Sequence, residues 1–72
     1  MDSIDMNFTK RETEVAEAIS FGFNSKEISD RLDISIHTVE THRKNLLRKL
    51  NAKNTAHLMR KSIAVGLIKI VE

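Results

Sequence analysis

The sequence predicts an all-α fold, a small four-helix (tetrahelical) bundle, and three observations carry that expectation. Proline is absent, only two glycines interrupt the 72 residues, and apolar side chains recur at intervals of three and four rather than two. A chain of this length fits one domain. Residues 1–7 read as an N-terminal arm or linker remnant, 8–68 as the domain and 69–72 as a C-terminal tail.

Thr9 followed by Glu12 forms a capping box, which satisfies two orphan amides at a helix start. The first helix therefore runs from there to about Phe21, burying Val15, Ala18 and Ile19, and Gly22 supplies the left-handed residue that ends it. Asn24 with Glu27 repeats the signature and opens a short second helix that ends near Leu32, with Ile28 and Leu32 one turn apart on its inner face. Asp33 then falls where the chain must turn sharply, and aspartate is among the few side chains that tolerate positive φ. Ser35 caps the third helix, which continues to Leu50 with Asn51 as its left-handed stop. Asn54 or Thr55 starts the fourth, which runs to Val65 before Gly66.

The net charge of +2 conceals an uneven distribution. Residues 1–35 carry four basic side chains against eight acids, for −4, whereas residues 36–72 carry eight against Glu40 and Glu72, for +6. That asymmetry suits a polyanionic partner for the second half, set against the plainer reading of a solvated helix face. Cysteine is absent, so neither a disulfide nor a thiolate–metal site is available. The polar, acidic start MDSIDMN is unlike a secretion signal, and no apolar run is long enough to cross a bilayer, so a cytoplasmic location without membrane contact is expected.

Helix periodicity separates two sides of the third helix. At about 100° per residue, Val39, Leu46 and Leu50 fall on one line and form the core seam. His37, Thr41, Lys44 and Arg48 fall on the opposite side, with Glu40 and Asn45 toward its edges and Lys49 nearby in the same basic segment. The second helix, a three-residue turn and the third helix have the proportions of a helix-turn-helix, whose second helix enters the DNA major groove. Ser35 and Thr38 at the helix start can donate to phosphate. Lys44 can donate to guanine, the Thr41 methyl can touch a thymine methyl, and Glu40 can accept from cytosine N4. The plainer role for Glu40 is an i,i+4 pair with Lys44.

The segments FTKRETEV, KEIS, SIHTVETHRKNLLRKL and AVGLI together make residues 8–68 resemble the LuxR-type (GerE, NarL/FixJ-type) DNA-binding domain of bacterial transcription regulators. The resemblance implies a response-regulator effector domain of four helices that binds double-stranded DNA, with the second and third forming the helix-turn-helix and the fourth pairing two subunits. It implies backbone contacts from Lys26, Ser35 and Thr38, and base reading from Glu40, Thr41 and Lys44. His42 matches a recurrent histidine; lying about 60° from the core seam, it favours a packed, half-buried role over phosphate contact. Asp33 stands where glycine is usual, and Lys61 where an apolar residue is common.

The fourth helix carries Leu58 and Val65 in one stripe and Ala56, Met59 and Ile63 in a second, about 100° away. One serves the core, and the other either is buried in the same bundle or meets a second copy, which would set two reading helices about 34 Å apart on DNA. RNA polymerase is a further candidate partner. An enzyme is disfavoured, since no phosphate-cradling glycine loop or convergent acid, base and nucleophile is present. His37 and His42 lie about 140° apart on one helix and cannot share a metal ion, and nothing calls for a cofactor or a small-molecule substrate. The alternatives are a helical protein-interaction module with a basic face and a sigma-factor-like promoter-reading domain.

Overall fold

The computed structural model describes residues 7–69; the expected arm residues 1–6 and tail residues 70–72 lie outside them. Four helices follow in order: α1 (Lys10–Ser20), α2 (Ser25–Leu32), α3 (Ile36–Lys49) and α4 (Thr55–Ala64). Among the described residues there is no strand. α3 packs against the other three, α1 also meets α2 and α4, and α2 and α4 do not meet.

Each helix begins where a side chain satisfies its first amides. Thr9 Oγ1 accepts from the Glu12 amide at 3.1 Å while Glu12 Oε1 accepts from the Thr9 amide at 3.0 Å. The Asn24 and Glu27 pair repeats the exchange at 2.8 and 2.9 Å. Ser35 accepts from the Thr38 amide at 3.0 Å, and Asn54, rather than Thr55, caps α4 by accepting from the His57 amide at 2.9 Å. Such caps contribute about 1 kcal/mol each.

The helix ends are equally specific. Gly22 and Gly66 sit at φ 91° and 79°, and Asp33 and Asn51 take the left-handed region at φ 56° and 54° without the freedom of a glycine. Lys61 Nζ donates to the Asn51 carbonyl at 3.0 Å, so the lysine that stands at a commonly apolar position fastens the stop of α3. Asp33 carries two disadvantages, a Cβ in left-handed backbone and a negative charge at the C-terminal end of α2. Asp33→Gly should therefore stabilise the domain by a few tenths to about 1 kcal/mol in urea titration, despite the added freedom of the unfolded chain. A loss of stability would contradict the turn described.

The core takes side chains from every helix: Val15 and Ala16, Ile28, Val39 with Leu46 and Leu50, Leu58, and Ile68 beyond α4. In α1 the buried line differs from expectation, because Ala16 and Glu12 are buried with Val15 while Ala18 and Ile19 are only partly covered. The inner face of α1 follows the i, i+3, i+4 row from Glu12, and the charged head of that row needs a partner inside the protein. Ser62 is fully buried in α4 with no hydrogen-bond partner for its hydroxyl. No helix among the described residues is long and apolar enough to cross a membrane.

Candidate nucleic-acid interface

The seam Val39, Leu46 and Leu50 is fully buried, and this fixes which side of α3 faces outward. His37, Thr41, Lys44 and Arg48 are all exposed on that outer side, with Asn45 half-buried at its edge. Thr41 Oγ1 donates back to the His37 carbonyl at 3.1 Å, so its hydroxyl proton is committed to the helix. What Thr41 offers outward is a methyl group and an acceptor oxygen.

At the start of α3, exposed Ser35 and half-buried Thr38 share a hydroxyl–hydroxyl hydrogen bond of 2.9 Å beside the first helical amides. Lys26 lies in the first turn of α2 and is 73% exposed, with Asp30 3.6 Å away. An ion pair so open to solvent holds the ammonium weakly and leaves it available to an incoming anion. Glu40 is half-buried, and its carboxylate accepts from the Ser25 hydroxyl of α2 instead of pairing with Lys44. Arg43, also half-buried, donates to the Thr55 hydroxyl at the foot of α4.

Lys49 departs from expectation. Its ammonium turns away from the basic face, donating to Glu12 Oε1 at 2.7 Å and to the Asn7 carbonyl at 2.8 Å, 6.0 Å from the centre of the Phe8 ring. The physical reason lies in helix geometry: Lys49 falls within about 20° of His42, on the flank of α3 turned toward α1. His42 is half-buried on that flank and its positive charge also acts on Glu12. Burial pushes the Glu12 carboxyl up, but the Lys49 hydrogen bond, the Thr9 amide and the charges of Lys49 and His42 together bring it below its ordinary value.

On α4, Leu58 and Ser62 face the core, whereas Ala56 and Ile63 are exposed and Met59 is half-buried. Ile63 alone leaves 40% of its surface open. Met59 packs against the core of its own chain, so of the second stripe only Ala56 and Ile63 stay open. Among the described residues, no three His, Cys, Asp or Glu side chains are grouped to hold a metal ion. Two residues of this region were absent from the sequence-based expectation, Ser25 and the exposed Ile36 at the first position of α3. Ser25 follows a capping asparagine, a position with no periodic signal, and Ile36 precedes the turns that pack.

The profile of a family described as bacterial regulatory proteins, luxR family, matches residues 6–62. Over 58 residues the chain is 43% identical to the transcriptional regulatory protein FixJ of Rhizobium meliloti, covering 81% of this chain and 28% of FixJ. Among solved structures it is similar to a Vibrio cholera VqmA–ligand–DNA complex, with a TM-score of 0.81 and 29% identity over 90% of this chain and 29% of the other. It is likewise similar to SdiA in complex with octanoyl-rac-glycerol, at TM-score 0.80 and 38% identity over 99% of this chain and 29% of the other. The chain spans 46%, 28% and 27% of the length of three curated relatives it matches.

Proposed function

The chain belongs to the luxR family of bacterial regulatory proteins, and from that premise we propose that residues 8–68 form a sequence-specific, double-stranded-DNA-binding domain that regulates transcription. Helix α3 lies in the major groove. The observation that carries this reading is the two-sidedness of α3, a fully buried seam opposite the exposed His37, Thr41, Lys44 and Arg48. A DNA complex of the similar VqmA supports it. Lys26, Ser35 and Thr38 hold the phosphate backbone at the two helix starts, and Glu40, Thr41 and Lys44 meet base edges with His37, Asn45 and Arg48 around them. His42 and Lys49 serve the α1–α3 contact. Membership in a family of regulatory proteins points away from catalysis.

Two substitutions separate the proposed roles. Lys44→Ala should cost about 1 to 3 kcal/mol on the preferred site and relax selection at one base position, whereas Lys26→Ala should weaken all duplexes alike and reduce the salt slope by about one unit. Fluorescence anisotropy over a range of salt, with specific and random duplexes, measures both. Equal losses on the two duplexes for Lys44→Ala would remove its base-reading role. A module that meets acidic proteins instead of DNA would show no preference for one site over bulk duplex.

The exposed Ala56 and Ile63, on either side of half-buried Met59, support a homodimer through α4, which would set two α3 helices on successive major grooves about 34 Å apart. Sedimentation on a symmetric duplex should give two chains per site; a one-to-one complex would exclude the dimer. The setting is the bacterial cytoplasm, and RNA polymerase is the partner that such a regulator meets at a promoter.

A further inference from the structure

Glu40 is the only acid between Asp33 and Glu72. Amid basic neighbours, a lone carboxylate on a helix surface ordinarily turns to the nearest cation, here Lys44 one turn on. It does not. Its Oε2 instead accepts from the hydroxyl of Ser25, so the side chain is held across the helix-turn-helix by a neutral donor on α2. A hydroxyl fixes the carboxylate without neutralising it, and the second oxygen keeps its accepting capacity.

Deepening the proposed DNA-reading role, and resting on it, we infer that Ser25 is a positioning residue that holds Glu40 as a fixed acceptor for the N4 amino group of one cytosine. In the major groove guanine and thymine present acceptors to a carboxylate, and adenine presents its N7 acceptor beside its amino group. Cytosine alone offers a donor without a neighbouring acceptor on the same base edge. A mobile glutamate escapes repulsion from a wrong base by swinging toward Lys44. One tethered to Ser25 cannot, and the repulsion becomes selectivity.

Selection of sites from random duplexes tests the inference, using the 72-residue chain and the variants Glu40→Gln, Ser25→Ala and Ser25→Thr, each checked for folding by circular dichroism. The unmodified chain should favour cytosine at one position by roughly 5- to 100-fold. Glu40→Gln should move that preference to adenine, whose N6 and N7 match an amide. Ser25→Ala should flatten the same position by about threefold or more, and Ser25→Thr, which keeps the hydroxyl, should restore it. An enriched site without the cytosine, or a Ser25→Ala profile that is unaltered or weakened evenly at all positions, overturns the role of Ser25. Enrichment of no site by the unmodified chain is a separate outcome, and it removes the DNA-reading function with it.

Discussion

Leu46→Ala should remove most of the domain's stability. Leu46 is fully buried in the seam where α3 meets its neighbours, and truncating such a leucine typically costs 2 to 5 kcal/mol through lost transfer energy and a residual cavity. A domain of this size has a total stability of roughly 4 to 11 kcal/mol, and without disulfide or metal staples it falls toward the lower end. The loss therefore removes most of the margin. Urea titration followed by helical circular dichroism measures it, with Leu46→Met as the volume-conserving control at under about 1.5 kcal/mol. A cost below about 1 kcal/mol for the alanine variant would mean that the seam is not the centre of the core.

Lys49→Met should be nearly as damaging, although it adds an apolar side chain. The Glu12 carboxylate is 4% exposed and the Lys49 side chain 12%, so removing the ammonium leaves a buried charge without its cation. Breaking a pair of this kind costs about 3 to 5 kcal/mol, and the residual exposure of Lys49 argues for the lower end. Replacing both partners, as Lys49→Met with Glu12→Gln, should recover much of the loss because no unpaired charge remains.

The same pair fixes a dependence on pH. Burial raises the Glu12 carboxyl, but the Lys49 ammonium, the Thr9 amide and His42 outweigh it, so the folded protein holds this proton less tightly than the unfolded chain does. The stabilisation is fully present above the ordinary carboxylate range and is lost as pH falls through the lowered folded value. Glu12→Gln should abolish this part of the acid slope. In Lys49→Met the two lowering influences of the ammonium are gone and burial acts against the Thr9 amide and His42 alone, so the acid slope contributed by Glu12 should shrink.

Helix-local features could be read from the sequence. The capping boxes at Thr9 and Asn24, the left-handed Asp33 and Asn51, the buried seam of α3 and the exposure of Thr41 and Lys44 each follow from residues within a few positions of one another. Contacts between helices could not. Lys49 and Glu12 are separated by 37 positions and Ser25 and Glu40 by 15, and a helical wheel carries no record of which neighbour a flank will meet. Lys49 thus looked like one more member of a basic face, and Glu12 like a capping acid with no further duty. Its burial beneath α3 links the two.

The joint between α3 and α4 is fastened on both sides, by Arg43 on the Thr55 hydroxyl and by Lys61 on the Asn51 carbonyl. If two copies pair through α4 as proposed, these two clasps would oppose twisting of α4 against α3 within each half. Lengthening an operator by a single base pair turns one half-site by about 35° relative to the other. In the proposed pair, an elbow held in this way would resist that rotation, and tolerance for altered spacing would be set there instead of at the bases.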